Sequence, residues 1–158
     1  MARLILGEAT RTLDERFRLS VPPEMTEAIA VDDGQCILAK ERPGCLSLWN
    51  EATWQTRLDA GIQLVQSKIE AGRLEGRLEE VQRLGRLLST RQTNVQLTGR
   101  GRLMVPAGFR EFLDVEAGGV VLVVGAAICV EIWHPEKWQG YVGEELPAFR
   151  QLLDQLAN

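Results

Sequence analysis

Two arginines separated by a single residue occur twice in this chain, in the same setting. Arg16 and Arg18 lie within Leu13-Asp14-Glu15-Arg16-Phe17-Arg18-Leu19-Ser20-Val21-Pro22. Arg100 and Arg102 lie within Leu97-Thr98-Gly99-Arg100-Gly101-Arg102-Leu103-Met104-Val105-Pro106. Arginine carries a planar fork of donors that matches phosphate oxygens and the O6/N7 edge of guanine. Two such groups at the head of a β-hairpin can point outward together, so the chemistry on offer is recognition of an anion. In the first set Asp14 precedes Arg18 by four residues. An ion pair across that turn limits the arginine's rotamers and lowers the cost of ordering it on binding.

Catalytic chemistry finds no comparable constellation. A phosphate loop of the GxxxxGK[ST] type is absent, and Gly99, Gly101 and Gly118–Gly119 lack the strand–loop–helix setting that such a loop needs. There is no nucleophile elbow. The acidic pairs Asp32–Asp33 and Glu79–Glu80 fall in a turn and on a solvated helix face. The single histidine, His134, precedes Pro135 and reads as a helix cap rather than a ligand or base. With no CxxC spacing, a metal site is not expected. Three cysteines cannot all pair within the chain, and Cys45 and Cys129, in apolar surroundings, read as small buried hydrophobes. The expectation is a protein that is not an enzyme and has no cofactor, metal or small-molecule substrate.

The elements that must position the arginines are themselves duplicated. A shift of 84 positions lays the first half on the second. Leu13, Arg16, Arg18, Leu19, Val21 and Pro22 then fall on Leu97, Arg100, Arg102, Leu103, Val105 and Pro106. Gly34, Leu38, Cys45, Trp49 and Trp54 fall on Gly118, Leu122, Cys129, Trp133 and Trp138. Matched Trp, Cys, Gly and Pro at one register mark a tandem repeat. The boundaries expected are 1–90 for the first repeat with a bridging helix pair, and 91–158 for the second with C-terminal helices.

Each repeat predicts the same elements. Strands are expected at Leu4–Leu6 and Thr10–Leu13, and at Thr93–Leu97 in the second copy. An arginine turn and a short strand follow, Leu19–Val21 or Leu103–Val105, stopped by a proline that supplies no ladder donor. A short helix fits Glu24–Ile29 and Gly108–Leu113. Two further strands fit Cys36–Ala39 and Leu46–Trp49, or Val120–Val124 and Ile128–Trp133, where β-branched residues concentrate. Asn50 then caps a helix whose stripe is Trp54, Leu58, Ile62, Val65 and Ile69. Leu74, Leu78, Val81, Leu84 and Leu88 form a second stripe, separated from the first by Gly72 and Gly76. Helices over Glu136–Tyr141 and Pro147–Leu156 close the second copy. The stripes read as core or subunit interface. The fold class expected is α+β with two similar halves.

Charge is segregated. The net charge is −4, but residues 91–110 hold Arg91, Arg100, Arg102 and Arg110 with no acid. Residues 111–158 hold eight acids against Lys137 and Arg150. Local field steers an anionic partner more than the total does. No apolar run approaches the roughly 20 residues of a membrane span, and no extended signal core opens the chain, so a cytoplasmic protein without membrane contact is expected.

The two arginine motifs, at this spacing and with a helix pair between them, resemble the MraZ family of transcriptional regulators. That family carries two AbrB-like swapped-hairpin halves and a repeated Asp-x-x-x-Arg motif. Arg86-Leu87-Leu88-Ser89 resembles the segment before the family's second motif, and Leu46-Ser47-Leu48-Trp49 with Trp54 resembles its strand and following helix. The resemblance covers nearly the whole chain. It implies tandem duplicated AbrB-like β-hairpin halves, each followed by helices. It also implies binding to double-stranded DNA at short repeats upstream of the cell division and cell wall gene cluster, a nucleoid location and a ring-shaped homo-oligomer. The residues it assigns to DNA are Asp14, Arg16, Arg18, Arg100 and Arg102. The chain departs from the pattern at Phe17, where the family has glycine, and at Thr98, where it has aspartate. A positive φ at Phe17 would strain that turn. The competing reading is a diverged oligomeric interaction module with weak or no DNA binding.

Overall fold

The computed structural model describes residues 3–158. Its strands are β1 Glu8–Thr12, β2 Arg18–Ser20, β3 Gln35–Arg42, β4 Cys45–Trp49, β5 Gln92–Gln96, β6 Arg102–Met104, β7 Val120–Gly125 and β8 Val130–Trp133. Its helices are α1 Pro23–Ile29, α2 Glu51–Glu70, α3 Leu78–Arg91, α4 Ala107–Leu113, α5 Pro135–Glu145 and α6 Phe149–Ala157. The α+β class with two β-rich halves is as the sequence predicts.

The halves are woven together. Six strands form one antiparallel sheet in the order β1-β7-β8-β4-β3-β5. The first strand of each repeat therefore leaves its own half and becomes an edge strand on the other, β1 against β7 and β5 against β3. The remaining pair, β2 and β6, forms a separate two-stranded ribbon with Leu19 opposite Leu103. One core serves both copies. Leu13, Leu19, Val21 and Ile29 pack in the same cluster as Leu97, Leu103, Val105 and Leu113.

The repeat is not gapless in three dimensions. Leu13 N–H donates to Gly119 C=O at 2.8 Å, whereas its mate Leu97 donates to Gly34 C=O at 2.9 Å. Gly34 thus corresponds to Gly119, not Gly118, and Leu38 to Val123, not Leu122. The frame is restored in the β3–β4 hairpin, where the register shifts between Lys40 and Arg42. A Cβ at Gly34 would strike the Leu97 carbonyl, so only glycine permits this close crossing of the two repeats.

Leu4–Leu6 is not a regular strand. Only Ile5 pairs, through a bridge to Ala127, and Leu4 and Leu6 stand exposed on either side of it. The capping expectations are met: Asn50 Oδ1 accepts from Thr53 N–H at 3.2 Å, and His134 Nδ1 accepts from Glu136 N–H at 3.1 Å. Gly72, at φ +72°, breaks the bridging segment into α2 and α3. Of the stripe on α2, Trp54 is buried, while Leu58, Ile62 and Val65 face Leu84 and Leu88 of α3 across an open cleft. On α6, Phe149, Leu152, Leu153 and Leu156 remain exposed. Cys36, Cys45 and Cys129 are buried free thiols. No helix among the described residues is long and apolar enough to cross a membrane.

Candidate nucleic-acid interface

The β2–β6 ribbon sets the direction of the arginines. Leu19 and Leu103 point into the core, so their neighbours on each strand must point out. Arg18 sits opposite Met104 and Arg102 sits opposite Ser20. These four residues make the outer face of the ribbon, with the two arginines on one diagonal. The pairing brings together residues 84 positions apart, and it exists only because the repeats are interleaved. Arg16 and Arg100 lie in the exposed turns that close the heads.

The first head is braced. Asp14 Oδ1 accepts from the backbone N–H of Arg16 at 2.8 Å and of Arg18 at 2.9 Å. Its Oδ2 accepts from Arg18 Nε at 2.7 Å. The ion pair expected from the four-residue spacing is therefore present. The Arg18 backbone N–H, with the other donors and the guanidinium charge, holds the Asp14 carboxyl below its ordinary range. Because the same carboxylate grips the turn backbone and the guanidinium, the orientation of Arg18 is tied to that of its hairpin.

Phe17 takes φ +58°, so the left-handed geometry of the turn survives the loss of glycine. The strain is offset from the second repeat. The Arg110 guanidinium stacks over the Phe17 ring at 4.3 Å, and Arg110 Nε donates to Val105 C=O at 2.7 Å. Val105 N–H in turn donates to Phe17 C=O at 2.9 Å. These three contacts close a circuit between the first turn and α4.

The second head is built differently. Thr98 offers no carboxylate, and the turn is held by backbone bonds alone, Thr98 N–H to Arg102 C=O at 2.9 Å and Arg102 N–H to Thr98 C=O at 2.8 Å. Gly99 and Gly101 both have positive φ. Gly101 is also packed: a Cβ there would lie 2.5 Å from Thr26 Oγ1 and 2.9 Å from Val21 C=O. The side chains of Arg16, Arg100 and Arg102 make no hydrogen bond or ion pair among the described residues, so their donors face solvent.

Sequence reasoning overlooked three neighbours of this face, Arg11, Asn94 and Gln96. Arg11, on β1, donates from Nε to Ser20 C=O at 2.9 Å and so joins the edge of the ribbon. In the sequence it stands two residues ahead of Leu13, just before the first arginine motif. On the other side, Asn94 and Gln96 of β5 line a cleft with Arg18, Thr98 and Arg102. Polar residues on a short strand carry no distinctive pattern, and nothing in the sequence marked them.

Fold and site together define an α+β protein of two interleaved β-rich repeats that present paired arginine heads. A family model described as "MraZ protein, putative antitoxin-like" matches residues 88–155. The chain is 24% identical over 155 residues to the transcriptional regulator MraZ of Syntrophomonas wolfei, covering 98% of each. It is 28% identical to that of Thermomicrobium roseum, covering 97% of this chain and 99% of the relative. It is 25% identical to that of Heliobacterium modesticaldum, covering 98% of each. The chain is thus similar to these MraZ proteins along nearly its whole length, and its second repeat matches the family model.

Proposed function

We propose that this protein is a sequence-specific, double-stranded-DNA-binding transcriptional regulator that acts through the outer face of its β2–β6 ribbon. The observation that supports this most is the register of that ribbon. It sets Arg18 and Arg102, one from each repeat, on a single exposed face, with Arg16 and Arg100 at the two turns. Three of these four guanidinium groups have no side-chain partner among the described residues and the fourth pairs with Asp14, so positive charge gathers at the heads of a chain whose net charge is negative. Asp14 acts on DNA indirectly, by fixing Arg18. The repeats, 1–90 and 91–158, each supply one head. The targets are short repeats upstream of the cell division and cell wall genes, and the working location is the nucleoid of the cytoplasm.

Self-association completes the reading. The exposed Phe149, Leu152, Leu153 and Leu156 give α6 an unshielded apolar face, of the kind that packs against another copy. A ring of subunits would offer many heads to DNA at once, and modest single contacts would then sum.

The test is fluorescence anisotropy with a duplex carrying the chain's own upstream region, against a scrambled duplex. Preferential, salt-sensitive binding supports the regulator. Equal, weak binding to both points to the competing reading, an oligomeric interaction module, which the acidic 111–158 segment favours.

A further inference from the structure

We propose that Asn94, on edge strand β5, is a specificity-determining residue that reads an adenine in the major groove beside the contact made by Arg102. The inference rests on the DNA-binding reading above and goes beyond the arginines that carry it.

Arginines on the ribbon attract any phosphate backbone. Sequence is read by groups held at fixed points on a base edge: arginine's donors suit guanine, while adenine asks for a donor and an acceptor together. A cleft of about 420 Å³ lies between β5 and the ribbon, lined by Arg18, Asn94, Gln96, Thr98, Arg102 and Met104. Of its two amides, Gln96 is already committed, donating from Nε2 to Asp33 C=O at 2.6 Å. Asn94 is exposed, and its side chain makes no hydrogen bond among the described residues. It therefore keeps both a donor and an acceptor for the N7/N6 edge of adenine. Met104, 54% exposed on the same face, supplies an apolar surface for the thymine methyl of that pair. Arg102, also unpartnered among the described residues, is free for an adjacent guanine or phosphate.

The pseudo-symmetric side of the ribbon is chemically different. There Thr10 and Thr12 occupy the positions of Asn94 and Gln96, and Arg11 replaces Val95 and bridges to Ser20 C=O. The two edges of one chain are thus unequal, with an amide reader on one and an arginine strap on the other.

The test uses the full-length chain and a duplex selected by it from a randomised pool. Each base pair of that duplex is then changed in turn, and affinities are measured for the wild type, Asn94→Ala and Asn94→Asp. The wild type is expected to prefer adenine about ten-fold at one position. Asn94→Ala abolishes that preference while leaving the salt dependence and the other positions unchanged. Asn94→Asp shifts it toward cytosine, whose amino group donates to a carboxylate, while the lost amide donor no longer serves adenine N7. A wild type that discriminates, with an Asn94→Ala variant that keeps every preference or weakens all duplexes equally, overturns this inference and leaves the DNA-binding reading standing. A wild type that binds no duplex overturns both.

Discussion

The ring of Phe17 lies beneath the guanidinium of Arg110, 4.3 Å from Cζ to the centroid, and so couples the first arginine turn to a helix of the second repeat. At the pseudo-equivalent place the partners are Gly101 and Thr26, where a Cβ on the glycine would meet the threonine hydroxyl. Bulk in one turn is matched by a long side chain that covers it, and its absence in the other by a short one. The two solutions are alternatives, each a pair.

Arg110→Ala should therefore destabilise the fold by about 2 kcal/mol, since it removes both the stacking and the bond to Val105 C=O. The double variant Phe17→Gly with Arg110→Thr rebuilds the pairing of the second head. It should lose less stability than the two single changes summed, because residues in contact are not additive. Urea denaturation of all four proteins measures the coupling, and strict additivity would show that the contact carries no energy.

Gly101→Ala should cost on the order of 1–3 kcal/mol, because a positive φ is combined with contacts to Val21 C=O and Thr26. Gly99→Ala faces open space and carries only the conformational penalty, about 1 kcal/mol. Thermal melts that rank the two in the opposite order would contradict the packing described for the second head.

The Asp14 carboxyl should titrate below the ordinary value of about 3.9. A lowered carboxylate pKa means that its contribution to stability is fully present above the unfolded value. It is lost as pH falls through the folded value. The largest cause, the Arg18 backbone N–H, remains in Arg18→Ala, so that variant should raise the midpoint only part of the way back. Carboxyl carbon NMR shifts across an acid titration decide this; an Asp14 midpoint at or above about 3.9 would remove the brace.

Burial pushes the thiols of Cys36 and Cys129 up to about 12 and that of Cys45 up as well. At about pH 8 the folded protein should react with iodoacetamide roughly ten-fold or more slowly than the unfolded chain, since the thiolate is the nucleophile. Mass spectrometry after timed quenching checks this. Rapid labelling of the native protein at any of the three would contradict their placement in the core.

Much of this was legible in the sequence because it is local. The turn at Asp14–Arg18 was legible from a four-residue spacing, the caps at Asn50 and His134 from residue type, and the helix break from Gly72. The choice of strand partner was not. Nothing in Thr10 or Val95 states that β1 belongs beside β7 and β5 beside β3, because alternation records which face is buried and not which strand covers the edge. The one-residue slip at Gly34 was hidden for a related reason. Gly118 and Gly119 offer two matches, and only the hydrogen bond from Leu13 distinguishes them. Arg110 reads in the sequence as one more positive charge; that it covers Phe17, far away along the chain, emerges only when the two repeats interleave.

The central claim is that the ribbon arginines bind DNA, and the most direct measurement is the salt dependence of duplex binding for the wild type, Arg18→Ala and Arg102→Ala. Removing an arginine that engages a phosphate should flatten the plot of log affinity against log salt by roughly one unit. Both variants should weaken binding, Arg102→Ala more, since Arg102 is free to engage DNA while Arg18 is shared with Asp14. Slopes and affinities identical to the wild type in both variants would contradict the account and move the interface elsewhere on the molecule.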